Sequence, residues 1–158
     1  MSRPRIYIET TVVSYLTARP SRDLIVAAHQ QVTSMWWSRF RDEFDCYVSE
    51  LVIQEASAGD TEAAAHRLET IRGIPSLGLS EDVLHLAEDL VAQGAIPRGA
   101  AEDALHVAVA AMNGMDYLVT WNCRHIANAR MRIEIAEVCL AAGCEAPVIC
   151  TPEELTEE

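Results

Sequence analysis

AEDALHVAVAAMNGMDYLVTWNCRHIAN, residues 101–128, decides how this chain folds. The segment from Arg98 to Met115 predicts a helix. Leu105, Ala108, Val109 and Met112 recur at helical spacing and form a buried stripe. Glu102 and Asp103 fall in the first turn, where negative charge suits the helix dipole. Asp103, His106 and Ala110 share a neighbouring face. DYLVT, residues 116–120, then predicts a strand, and polar groups follow at once: Thr120, Asn122, Arg124 and His125. A helix bearing an acid is thus followed directly by a strand that ends in polar side chains.

The same alternation extends in both directions. RIYI, residues 5–8, predicts a buried first strand, with a helix from about Val12. Residues 20–44 predict a long second helix capped by Ser21. DCYVS, 45–49, predicts a second strand, and SELVIQEAS, 49–57, a helix starting at Ser49 or Glu50. A helix over 60–74, a short strand within 75–80 and a helix over 80–94 come next. The last of these has Ser80 as its cap and Gly94 after its end. A loop and helix fill 122–143, APVICT, 146–151, predicts the last strand, and the acidic tail 151–158 reads as short helix or disorder. Short apolar strands alternating with helices imply a parallel sheet covered on both faces. Ligands of such sheets bind beyond the carboxyl ends of the strands.

Acids stand at those ends. Glu9 follows the first strand, Glu55 lies in the helix after the second, and Asp103 lies in the helix before the fourth. Taken singly, each is an ordinary acid near a helix start. Taken together, three acids in apolar surroundings at one sheet edge would repel one another and raise each other's pKa. A divalent cation relieves that repulsion, and an all-oxygen cluster suits Mg2+ or Mn2+ better than zinc. His106, one turn after Asp103, is placed to support the cluster from behind.

Composition excludes several alternatives. Half of the 158 residues are hydrophobic, which argues against disorder and suits one domain spanning 1–158. No apolar run is long enough for a membrane span, and no signal-peptide core follows Arg3 and Arg5, so a cytoplasmic protein is expected. Five cysteines without a CxxC pair read as reduced thiols. The net charge is −12, and all twelve basic residues are Arg. That balance argues against broad electrostatic binding of nucleic acid but leaves room for a local or metal-bridged contact. No phosphate-binding glycine loop, GxSxG elbow or HExxH pair is present.

The segments YIETTVVSYL, VSELVIQEAS, residues 101–128 and the late PVICTPEEL together resemble the PIN domain, most closely the VapC-type toxins of bacterial type II toxin–antitoxin systems. The resemblance implies a three-layer α/β/α fold around a parallel sheet of four to five strands. It implies a Mg2+- or Mn2+-dependent ribonuclease. Glu9, Glu55 and Asp103 match the family's metal-binding acids, and Asn122 matches its fourth catalytic position. Thr10, next to the first acid, would position Glu9 or its water. Thr10 and Thr120, with Arg124 and His125, would meet the RNA substrate. Two departures stand out: Glu replaces the usual Asp at position 9, and neutral Asn occupies position 122. The resemblance also implies a cognate antitoxin protein and a homodimer, to which the VTSMWW segment would contribute. The alternative is a catalytically weak or inactive PIN-like module that binds RNA or a protein without cutting. The two departures and the acidic charge favour that alternative somewhat.

Overall fold

A computed structural model describes residues 2–156. Its strands are β1 (Arg5–Ile8), β2 (Asp45–Ser49), β3 (Ser76–Leu77), β4 (Tyr117–Val119) and β5 (Val148–Cys150). Its α-helices are α1 (Thr10–Thr17), α2 (Leu24–Arg39), α3 (Glu50–Ala56), α4 (Thr61–Thr70), α5 (Glu81–Ala92), α6 (Ala101–Met112) and α7 (Ala129–Ala141). The sheet is parallel throughout, in the order β3-β2-β1-β4-β5. The expected α/β fold with a central parallel sheet is therefore present, with five strands.

That order places helices on both faces. The chain leaves β1 toward β2 and β3, then crosses back to β4 on the other side of β1. Right-handed crossovers require helices α1 to α4 on one face and α5 to α7 on the other. The packing agrees: α1 touches α2, α3 and α4, whereas α5 touches α6 and α7. The strand order reverses between β1 and β4, which opens a crevice at their carboxyl ends.

β1 is the middle strand, and Ile6, Tyr7 and Ile8 have no exposed surface. Covering both faces of a parallel sheet demands such a continuous apolar run. Each side chain contributes about 1.5–3 kcal/mol of burial. Truncating Ile8 to Ala would leave a cavity and cost about 2–5 kcal/mol.

Several helix boundaries differ from the sequence expectation, and the caps explain why. α1 starts at Thr10 rather than Val12, because the Glu9 carboxylate accepts from the Thr11 N–H and caps the helix. α2 is capped by Asp23, not Ser21. Asp23 accepts from the Ile25 and Val26 N–H groups, while Ser21 Oγ accepts from the Asp23 N–H. α2 ends at Arg39, and Arg41–Glu43 form a 3-10 turn instead of continuing the helix. Ser49 and Ser80 cap α3 and α5 as expected. Gly94 follows α5 with φ +81°, a conformation glycine adopts without strain. α6 is not an amphipathic helix with one buried stripe. Ala104 and residues His106 to Ala111 are all buried, while Leu105 and Met112 are only partly so. Small side chains let α5 and the sheet close on this helix from several sides. The tail forms a 3-10 turn at Pro152–Leu155, and Glu157 and Glu158 lie outside the described residues.

Candidate metal centre

The crevice between β1 and β4 holds the acid cluster. Glu9 leaves β1 with its N–H on the Val119 carbonyl (3.1 Å), so its backbone is tied to β4. Its carboxylate is almost fully buried, at 3% exposure. Three donors fix it: the Thr11 N–H, the Thr11 hydroxyl and the Thr120 hydroxyl, the last two at 2.5 Å. The Thr11 hydroxyl oxygen also accepts from the Trp121 N–H at 2.8 Å, which locks α1 to the end of β4. Burying a carboxylate is costly unless its oxygens are hydrogen-bonded, and these three donors meet that need.

Glu55, on the last turn of α3, comes to the same place from a different layer. The Thr10 hydroxyl donates to its Oε1. His106 Nε2 lies 2.7 Å from the same oxygen and 3.9 Å from Glu9 Oε2. Glu9, Glu55 and His106 thereby offer two carboxylate oxygens and one imidazole nitrogen, all within 4.8 Å of one another. The opposite edge of the imidazole is also held. Nδ1 is 2.7 Å from the Tyr7 hydroxyl, which lies 2.8 Å from Ser49 Oγ.

Asp103 occupies an adjoining corner, one turn before His106 on α6. Its Oδ1 accepts from Asn122 Nδ2 (2.9 Å), and its Oδ2 is 3.0 Å from His125 Nδ1. Asn122 uses its own oxygen to accept from the His125 N–H. The polar group after β4 therefore presents a donor toward the acid rather than an oxygen.

These neighbours set the protonation of the centre. Burial would push the His106 imidazole down, but the hydrogen bond to Glu55 and the charges of Glu9, Glu55 and Asp103 hold it above its ordinary range. For Glu55, burial would raise the carboxyl. The hydrogen bond to and charge of His106 outweigh it, with the Thr10 hydroxyl and Glu102 adding to the effect, and hold it below the usual range. Glu102 is pushed the other way, by its hydrogen bond to Glu55 and the Glu55 charge. Burial pushes the Tyr7 phenol far up, so it stays neutral.

Glu9 and Glu55 are thus brought together, and Asp103, Asn122 and His125 form a second group beside them. Thr10 does not serve Glu9, as its place in the sequence suggests: its hydroxyl is bound to Glu55, and Thr11 serves Glu9 instead. Thr120, expected from the sequence to meet substrate, presents no surface to solvent. Its hydroxyl is a positioning group for Glu9. Arg124 is exposed and makes no ion pair among the described residues. Trp121 is stacked on His29, with ring centroids 4.0 Å apart, and donates to Thr33, so it forms packing rather than a free platform. Sequence spacing assigns His106 only a supporting role and gives Thr11, Tyr7 and Ser49 no part in the site. The interval between Asp103 and His106 is the one available signal, because i and i+3 share a helix face.

The donor set fits a divalent cation. Two ligands each about 2.1 Å from one ion at right angles lie about 3 Å apart, which is the scale of the spacings here. Among the described residues, the imidazole is the one cationic partner the two carboxylates share.

No known protein-family profile matches the chain, and no curated protein sequence matches it. A search of solved structures finds the crystal structure of Mycobacterium tuberculosis VapC20, described as a toxin that cleaves the sarcin–ricin loop. The two share 15% sequence identity, over 90% of this chain and 99% of that one, with a TM-score of 0.58. At that identity the likeness is one of fold, and the fold is the PIN-like three-layer α/β/α arrangement.

Proposed function

We propose that this chain is a divalent-metal-dependent ribonuclease that hydrolyses RNA phosphodiester bonds, and that it acts as the toxin of a toxin–antitoxin pair. The observation that carries the proposal is the convergence of Glu9, Glu55 and His106 in the crevice between β1 and β4, with Asp103 one helical turn away. The shared fold with a toxin that cleaves RNA supports the same reading. Glu9 and Glu55 would hold Mg2+ or Mn2+. Such an ion supplies charge stabilisation to the phosphate and makes water a better nucleophile. Thr10, Thr11 and Thr120 keep the carboxylates aimed into the crevice, so little reorganisation is needed when substrate arrives. Asn122 and His125 hold Asp103 at the rim, where it can accept a proton or help hold the ion. Arg124, exposed beside them, is the cation available to a neighbouring phosphate.

The substrate is RNA, the natural partner a cognate antitoxin protein, and the expected place of action the cytoplasm. No helix among the described residues is long and apolar enough to cross a membrane. A homodimer is part of the proposal.

The test is cleavage of an RNA hairpin carrying the sarcin–ricin loop, with Mn2+ or Mg2+ and then with EDTA. Metal-dependent cleavage that disappears in Asp103→Asn, with the fold intact by circular dichroism, supports the assignment. Cleavage that survives EDTA and Asp103→Asn unchanged overturns it. Tight RNA binding without cleavage in any metal points to the non-cutting module instead.

A further inference from the structure

The third corner of the cluster is a histidine, and Asp103 stands one helical turn before it. Both Asp103 oxygens already have partners, Asn122 Nδ2 on one and His125 Nδ1 on the other. His106 Nε2 is directed between Glu55 and Glu9, its partner being a carboxylate of the cluster itself, from a side chain with only 1% exposure. We propose that His106 is a direct nitrogen ligand of the cation, and that the centre consequently selects a first-row transition ion such as Mn2+ over Mg2+. The inference rests on the metal-nuclease reading above and specifies its ion.

Two physical arguments support it. Mg2+ strongly prefers oxygen, keeps several waters and gives up hydration reluctantly, so a buried site with an imidazole corner suits it poorly. Imidazole suits Fe2+, Ni2+, Cu2+ and Zn2+ best; Mn2+ binds most weakly of the first-row dications, yet it takes a nitrogen among oxygen donors more readily than Mg2+ does. Second, the far side of the ring is arranged as metal-bound histidines require. Such a histidine donates its other N–H to a fixed acceptor, which sets the tautomer and turns the lone pair to the ion. Here Nδ1 can donate to the Tyr7 hydroxyl, which in turn can donate to Ser49 Oγ. Ser49 is itself fixed, because its Oγ caps α3 by accepting from the Val52 N–H. With Nδ1 held in this way, the proton on Nε2 is the one an incoming cation would displace, and the freed lone pair would face the two carboxylates.

An alternative role for the same residue gives a different result in the same experiment. A His106 that stays protonated would act as a resident cation beside Glu55, and any bound metal would see oxygen alone. The experiment is Mn2+ and Mg2+ binding to the full chain by calorimetry, with pulsed electron paramagnetic resonance of the Mn2+ complex. The expected result is 14N coupling to Mn2+ and binding at least about ten-fold tighter than Mg2+. His106→Gln should abolish the coupling and bring the two ions within about three-fold of each other. Should that buried substitution unfold the protein, Tyr7→Phe gives a second test. It keeps the imidazole, so the coupling should persist while Mn2+ affinity falls by about 10–100-fold. Absence of 14N coupling in the wild type, or equal affinity for the two ions, overturns the inference while leaving the nuclease reading standing. Failure of both ions to bind overturns both.

Discussion

His106 Nε2 and Glu55 Oε1 lie 2.7 Å apart although 51 positions separate them and their helices belong to opposite layers of the sheet. In the metal-free protein this is an ion pair, and its two members give stability opposite pH limits. The His106 pKa is raised above its ordinary 6.5, so its contribution is fully present below that value and is lost as pH rises through the folded value. The Glu55 pKa is lowered from 4.5, so its contribution is present above that value and is lost as pH falls through the folded one. The metal-free protein should therefore gain most from this pair between about pH 4.5 and 6.5. Thermal midpoints recorded in EDTA across pH 4 to about 9 check this, with His106→Gln as the reference that lacks the alkaline loss. Saturating Mn2+ should remove that loss from the wild type, because the ion replaces the imidazolium charge. A profile identical in wild type and variant would contradict the pairing.

Glu9 answers to length. Its extra methylene lets one carboxylate reach the Thr11 N–H, the Thr11 hydroxyl and Thr120 from the end of β1 while still facing His106. Glu9→Asp keeps the charge but shortens the arm by about 1 Å, which is enough to reduce cleavage about 100-fold. Rates in the presence of saturating Mn2+ test this. A Glu9→Asp variant as fast as the wild type would mean that the residue is not held as described.

Thr120 is buried, and its hydroxyl serves both the Glu9 carboxylate and the Asn122 N–H. Thr120→Val removes both bonds while nearly preserving shape, and should cost about 1–3 kcal/mol of unfolding free energy together with most of the activity. Thr120→Ser should restore both. Urea unfolding and RNA cleavage, run on the two variants side by side, distinguish loss of the hydroxyl from loss of the methyl.

Asn122 donates to Asp103 Oδ1. Asn122→Asp would set two carboxylates against each other and leave Asp103 one donor short. Without metal, the melting point should fall by an amount corresponding to about 1–3 kcal/mol. Added Mn2+ should recover more of that loss than Mg2+ does. Differential scanning fluorimetry with and without each ion measures it. A melting point unchanged in EDTA would show that the amide is not supporting Asp103.

The strands are legible from residues alone. Arg5–Ile8 and Asp45–Ser49 match their expected spans: Ile6–Ile8 is the unbroken apolar run that a strand covered on both faces needs, and Cys46–Val48 is a short apolar run bounded by Asp45 and the helix cap Ser49. Helix ends are less legible. Ser21, Asp23, Glu9 and Thr10 are all acceptable starts by type, and which one caps depends on where the preceding backbone is pinned. Glu9 caps α1 because its own N–H is tied to β4, more than a hundred residues away.

Local pattern and spacing are enough to specify the alternation of short strands and helices and the placing of acids after strand ends. From these follows a parallel sheet with polar chemistry at its carboxyl edge. Which groups share the centre is a matter of three-dimensional packing. The crossover from β3 to β4 puts the reversal of strand order beside β1, so Glu9 and Thr120 meet. The closure of α3 and α6 over that crevice then brings Glu55 to His106 and leaves Asp103 with Asn122 and His125. Spacing along a helix can say that Asp103 and His106 share a face. It cannot say which of them reaches the carboxylates of other elements, because that depends on how one helix is rotated and seated against its neighbours.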